Sequence, residues 1–510
     1  MCFALARPPS AAIVPRFFLM RRIFLAIFLL ASVATSAQAA DAKPAKKLSV
    51  VRVNVTNQPW DFLRPWGKRP PFSRRAIGAV LPGGKVMVTA EMVANATFLE
   101  FESPEGGAKV PASIEVVDYE ANLALLKTDD AAFLKAYEPL ELAEAHIGDN
   151  LAIWQLEATG TLLVTPGTLT SIEASRYPIS DSPLLVYRLT ANLQFRDSSF
   201  TMPIARDGKL VGILMRFDNN AKNVELIPTP VIQHFLKDAA DGKYDGFPRA
   251  GMGFASTRDP MFRRYLGLNA GIPGGVYVTQ VLKDSPAAKA GLQEGDTILK
   301  AAGEDVDQDG NYDDPEYGKL AISHHLSTKH FVGEKVDLTI IRQGEKKALG
   351  VVLDHRDPAD YVSDPYIIDR APKFFILGGL VLQELSRQYL KEFGTDWQKR
   401  APDDLIYLDR FQSDIYPDGS KKIVILSRVL PSDATIGYEQ MRGLVVTSVN
   451  GVPLNGLADL PGAIAKAEHG LHKVEFNGDP GTIWLDAAAA ETLGPVLKQS
   501  YRIPILQRLN

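Results

Sequence analysis

The chain of 510 residues is long enough for three or four domains of ordinary size, which argues against a single hydrophobic core. Its 46% hydrophobic and 23% charged residues are globular averages, which argues against wholesale disorder, a collagen-like repeat or a polytopic membrane protein. A formal charge of −4 supplies no basic excess for nucleic acid or an anionic membrane surface.

At the start, Arg21 and Arg22 precede an apolar run from Ile23 to Val33, followed by Ala37, Gln38 and Ala39. This is the charged region, apolar region and small-residue cleavage site of a secretory signal peptide, assigned to residues 1–39. The run is too short for a stop-transfer helix, and Met20 makes a tidier start than Met1. Removing the segment removes four arginines and takes the formal charge from −4 to about −8. It also removes Cys2, the sole cysteine, so the exported chain has no disulfide, thiol nucleophile or zinc-thiolate site. The expected compartment is a bacterial periplasm, with no integral membrane association after cleavage.

A polar linker, 40–48, leads into short β-branched runs such as SVVRVNV, GAVLPGGKVMVTA, NLAIWQL, LLVYRLTA and KLVGILMRF. Gly, Pro and Asp turns separate them at roughly ten-residue spacing, the pattern of an all-β barrel or sandwich over 49–246. IPTPVIQHFLKDAADGKY then turns helical and runs out at a glycine. From Gly251 the pattern is α+β, and SPAAKAGLQEGDTIL places a short helix between two turns before a strand; this unit is assigned to 249–356. A linker rich in Asp and Pro, 357–370, precedes a second unit, 371–510. Gly251, Met252, Gly253 and Phe254 open the first unit, and Leu377, Gly378, Gly379 and Leu380 the second, which suggests a diverged domain repeat.

SPAAKAGLQEGDTIL resembles the PDZ domains of the HtrA/Deg protease family. PKFFILGGLVLQELSRQYLKEFG, TIGYEQMRGLVVTSVNG and the terminal RIPILQRLN are similar to its plant-organelle branch, so the resemblance covers essentially the whole exported chain. The implied fold is mainly β with α+β: a trypsin-like double β-barrel followed by two PDZ domains. The implied assembly is a homo-oligomer.

Trypsin-like catalysis needs a histidine base, an aspartate that holds it, a serine, and backbone donors around the oxyanion. The family's T-N-x-H-V matches VTAEMV, which puts Met92 at the base position. D-L-A-L-L-K matches Asn122 to Lys127, which puts Asn122 at the aspartate position. Gapless placement of G-N-S-G-G-P on Pro203 puts Phe200 at the nucleophile, while a two-residue shift selects Ser198, with Ser199 beside it as a fallback. Thr201 and Met202 occupy the places of the oxyanion-loop glycines. The only histidines between 41 and 246, His146 and His234, lie far from these motifs and read as surface or packing residues. The pattern implies a pseudoprotease; the rival is an active serine endopeptidase using Ser198 or Ser199.

PDZ domains hold a peptide by adding its C-terminal segment to a sheet edge, with a Gly-containing loop receiving the carboxylate. The resemblance places that loop at Gly251, Met252, Gly253 and Phe254, with Arg249 just upstream; the other reading is a sheet-opening turn. The expected partners are unfolded chains or peptide C-termini, held by a scaffold, chaperone-like factor or protease modulator; a further alternative is a structural oligomer without peptide binding.

Inside the first PDZ unit, residues 305–316 satisfy D-x-D-x-D-G-x5-E. Asp305, Asp307, Asp309 and Glu316, with Asn311 and Asp313, supply the oxygens of a calcium loop, and Gly310 the sharp turn. Two readings stand, a Ca2+ site or a solvated acidic loop. His324, His325 and His330 follow on a predicted helix, where adjacent histidines do not share a face and make a poor metal site.

Overall fold

The structure is a computed structural model and describes residues 48–510, apart from 181, 195–200, 219, 269–270 and 417–420. The residues read as a signal peptide, and Ser198, Ser199 and Phe200, lie outside the described residues.

The first β unit is a seven-stranded antiparallel sheet ordered 109–111, 96–102, 50–57, 72–81, 85–88, 123–127, 113–118. Val53 stands opposite both Ala76 and Phe101, so alternate residues of the central strand meet one apolar face. Val51, Val53, Val55, Val86, Val88 and Phe101 close around that face with Met92. The turn at Gly83 and Gly84, both at positive φ, returns the strand 72–81 into 85–88.

The second β unit is a closed six-stranded barrel built from 150–156, 162–176, 183–191, 203–206, 209–218 and 223–228. Its core holds Ile153, Leu169, Leu185, Tyr187, Ile204, Ile213 and Leu226. The helix Thr229–Asp238 follows, with Pro230 in its first turn and Val231, Ile232 and Phe235 buried. Of the two barrels expected, the second is closed, and the first is a seven-stranded sheet.

The third unit is a sheet ordered 252–255, 276–281, 297–301, 335–342, 345–352, so Met252–Ala255 is an edge strand. The short helix Pro286–Lys289 begins where the Ser285 hydroxyl accepts the Ala288 N–H at 3.2 Å, and the chain turns out of it at Gly291, φ +80°. The helix Ile322–Thr328 packs on the barrel's last helix: His234 Nδ1 donates to the Thr328 carbonyl at 2.9 Å. The His234 ring lies between Phe247 and Phe331, 4.2 Å from each, so His234 is a packing residue as read.

The fourth unit repeats the plan with an addition. Its sheet runs 482–486, 471–477, 444–449, 424–429, 380–384, 374–377, 507–508. The strand corresponding to the third unit's edge, Leu380–Glu384, is here covered by Phe374–Leu377, and that in turn by the C-terminal Gln507–Arg508.

Candidate functional site

Of the positions matched to the protease motifs, Met92 and Asn122 are described, and both meet at one short helix as structural groups. Helix Ala90–Val93 carries Met92, whose side chain is fully buried in the core of the first β unit. Asn122 reaches the same helix with both of its oxygens: its carbonyl accepts Ala90 N–H at 3.1 Å and its Oδ1 accepts Glu91 N–H at 2.9 Å. Asn122 sits at φ +52°, a conformation Asn tolerates better than most residues. Its amide therefore caps a helix, and the buried Nδ2 has no partner among the described residues. From the second barrel, the Thr201 hydroxyl meets that of Thr89 at 2.9 Å, and both are buried. The described part of this cleft holds a thioether, an amide and two hydroxyls, none of which is a base at neutral pH. His146 is exposed in its turn, 3.5 Å from Glu316.

The third unit carries an open groove between the edge strand Met252–Ala255 and the helix Ile322–Thr328, a cleft of about 710 Å³. Met252, Phe254, Ile322 and Leu326 give it apolar walls. Gly251, at φ +75°, is demanded sterically as well as conformationally, because a Cβ there would stand 2.3 Å from Ser285 Cβ. The same segment is anchored by its carbonyls: Ala250 accepts from Ala287 N–H at 2.9 Å and Gly251 from Leu282 N–H at 3.0 Å. Gly251, Met252, Gly253 and Phe254 all line the groove. The helical wall went unread in the sequence, although Ile322 and Leu326, four apart, carry the signal of one apolar face.

Arg249 also lines the groove, but its charge is directed elsewhere. Its guanidinium pairs with Glu120 at 2.8 Å and donates to the Ser182 hydroxyl, which ties the mouth of the groove to the β units. Burial alone would raise the Glu120 carboxyl; Arg249 and His355 outweigh it and hold the group at about 2. Burial likewise acts to lower His355, yet Glu120, 3.7 Å away, leaves it raised. Burial, and then the Glu120 charge, push Asp118 up, and the Tyr244 hydroxyl donates to it. The loop 118–122 therefore reaches the groove through Glu120 and the helix of Met92 through Asn122. Neither link was legible in the sequence, because Glu120 and Arg249 are 129 residues apart.

The calcium loop read from the spacing is not assembled. Residues Asn311–Asp314 form a strand paired with Gly318–Ala321, which puts Asn311 and Asp313 on one face and Tyr312 and Asp314 on the other. Cations take the acids individually: Lys300 holds Asp305 at 2.8 Å, Lys319 holds Asp307 at 3.0 Å, and Arg258 holds Asp309 at 2.6 Å. Asn311 donates its own N–H to Asp307 at 2.8 Å, Asp313 is exposed, and Glu316 faces His146. Among the described residues no three His, Cys, Asp or Glu side chains converge as metal ligands. Gly310 has a packing reason instead, since a Cβ there would lie 2.4 Å from the Phe254 ring. His324 and His325 are buried in the helix, where burial holds both below their ordinary value, His324 at about 4.

In the fourth unit the matching loop is closed. Gly378 and Gly379 form a buried hairpin turn in which a Cβ would meet Ala490 at 2.9 Å or the Leu430 carbonyl at 2.8 Å. Leu430 N–H donates to the Gly379 carbonyl at 2.7 Å. With Phe374–Leu377 already paired to Leu380–Glu384, no peptide can add there without displacing the chain's own strand.

Among the described residues no helix is long and apolar enough to cross a membrane. Residues 248–353 and 364–507 each match a PDZ domain model. The chain is 28% identical over 464 residues to Protease Do-like 2, chloroplastic, of Arabidopsis thaliana, covering 89% of this chain and 74% of that protein. It is 28% identical over 127 residues to a probable periplasmic serine endoprotease DegP-like of Marinomonas sp., covering 24% of this chain and 23% of that one. Among solved structures, an HtrA-type protease AlgW with decapeptide aligns at 18% identity and TM-score 0.46, over 61% of this chain and 96% of that one.

Proposed function

The chain belongs to the HtrA/Deg family, with a trypsin-like region followed by two PDZ domains, and from that premise we propose an exported pseudoprotease that binds peptides. Its first PDZ domain holds unfolded chains or exposed C-termini by adding them to the strand Met252–Ala255. The role is that of a scaffold, chaperone-like factor or modulator of active relatives in the periplasm, working as a homo-oligomer. The observation that carries this reading is a contrast within one chain: the edge strand beside Gly251 is open, whereas Met92 and Asn122 are spent on core and helix cap.

The test is casein cleavage by the purified exported chain, alongside Ser198→Ala, Ser199→Ala and binding to a pool of C-terminal peptides. The expected result is no cleavage and saturable peptide binding. Cleavage lost in either serine variant would establish an active endopeptidase, and binding to no peptide would leave a structural oligomer.

A further inference from the structure

We infer that the helix of Met92 and the loop beside it form a dock for the second PDZ domain, so that the degenerate protease site serves as a fixed joint between domains. The inference rests on the pseudoprotease reading above and not on what the first PDZ domain binds.

Two parts of the first β unit make the dock, and the end of the strand 50–57 joins them. Asn57 donates through Nδ2 to the Met92 carbonyl at 3.1 Å and the Ala94 carbonyl at 2.9 Å, and the Gln58 N–H donates to the Asn95 carbonyl at 2.9 Å. The loop that follows is closed on itself: the Arg69 N–H donates to the Pro59 carbonyl at 2.9 Å and the Asp61 N–H to the Gly67 carbonyl at 3.1 Å. A loop already held in shape loses little freedom when it is bound. It presents two aromatic side chains to the second PDZ domain. Phe62, 6% exposed, packs with Leu385, Tyr389 and Leu405, and Trp66, 9% exposed, with Phe374, Leu430 and Leu497. Side chains of the same domain take the loop's backbone around them. Gln383 Nε2 donates to the Phe62 carbonyl at 2.9 Å, Arg428 to the Leu63 carbonyl at 3.3 Å and Arg508 to the Pro65 carbonyl at 3.0 Å, while Arg69 pairs with Glu392.

The helix of Met92 takes the other contact. Tyr366 and Ile368, in the segment that leads into the second PDZ domain, pack with Ala90, Tyr119 and Ile179, and the Tyr366 and Tyr119 ring centres are 5.8 Å apart. Just past the helix, Asn95 and Asp369 bond reciprocally: the Asn95 N–H donates to Asp369 Oδ1 at 2.6 Å and the Asp369 N–H to Asn95 Oδ1 at 3.1 Å. The Tyr119 hydroxyl donates to the same carboxylate. The helix that would carry a base is therefore held by its own core through Met92 and by this segment through Ala90. Aromatic anchors in apolar pockets, with polar contacts around them, are the anatomy of a specific interface. Here both sides belong to one chain, so docking is intramolecular and the effective concentration of each side keeps the dock filled.

Because Cys2 is the sole cysteine, the exported chain has none, and a disulfide trap reports the dock directly. In the full exported chain carrying Asn95→Cys and Asp369→Cys, oxidation with copper–phenanthroline is expected to form a disulfide within one chain nearly completely, with the thermal melt kept. In the Phe62→Ala, Trp66→Ala double variant the amides of 366–370 are expected to exchange at least about tenfold faster, and the radius of gyration from X-ray scattering to rise. Those aromatics also fill the apolar pockets of the second PDZ domain, so Asn95→Ala with Asp369→Ala, at the rim of the contact, is the second variant. There exchange over 366–370 should rise while the strands Leu380–Glu384 and Val424–Val429 stay as protected as in the parent. A disulfide that fails to form, or that only joins two chains, would overturn the dock, as would exchange at 366–370 unmoved by both double variants. Casein cleavage separates this from the reading beneath it. None is expected in any variant, and cleavage gained on release of the domain would overturn the pseudoprotease reading while the trap still reports the dock.

Discussion

Glu120 links the β units to the groove through Arg249, and Glu120→Gln tests that link. Its side chain is 4% exposed, 2.8 Å from Arg249, and its carboxyl is held at about 2 against an ordinary 4.5. That difference corresponds to about 3 kcal/mol at neutral pH. Because the folded value lies below the unfolded one, the contribution is fully present above about pH 4.5 and is lost as pH falls toward 2. Replacing only the acid leaves the half-buried Arg249 without its countercharge, so the loss is at most of the same order as the pair itself. Hydrogen exchange of the amides of Phe247–Phe254, the segment that carries Arg249, is the assay. Protection at pH 7 is expected to fall about a hundredfold in Glu120→Gln, and a double-mutant cycle with Arg249→Met should return a coupling of about 2 kcal/mol or more. Unchanged protection, or additive effects of the two variants, would refute the clamp.

Met92→Ala removes a fully buried side chain from the first core and should lower stability by about 2–5 kcal/mol in urea unfolding, with no change in casein cleavage. Gly251→Ala forces a Cβ against Ser285 at a positive φ, so peptide binding by fluorescence polarisation should weaken by about tenfold or more while the melting of the β units is kept. Millimolar Ca2+ should leave the Tm of the protein within about 1 °C, since Asp305, Asp307 and Asp309 are held by separate cations; a shift of several degrees would show a site. His324, held at about 4 by burial and by the nearby Lys329 charge, binds its proton more readily unfolded than folded. Stability should therefore fall by up to about 3 kcal/mol as pH drops from 6.5 to 4, and His324→Leu should flatten that part of the pH–Tm profile.

The sequence by itself determined the element plan. Strand periodicity over 49–230, the Pro and Gly that bound the helix Thr229–Asp238, and the Ser285 cap are local signals, and local sterics and hydrogen bonding execute them. The motif offsets single out Met92, Asn122 and Gly251–Phe254, which the structure sets in the first core, on the helix Ala90–Val93 and along the groove. The 305–316 spacing is likewise a set of offsets, but whether its oxygens converge depends on backbone shape and on side chains outside the loop, and here Lys300, Lys319 and Arg258 take Asp305, Asp307 and Asp309 separately. Only the tertiary structure decided where the charges go. Arg249 turns to Glu120, Lys422 holds the backbone of the segment between the two PDZ domains, and Phe374–Leu377 closes the second PDZ edge while the first stays open. Each of these pairings joins residues that no periodicity relates, and each is chosen by burial, which makes an unpaired charge or an uncovered strand edge costly.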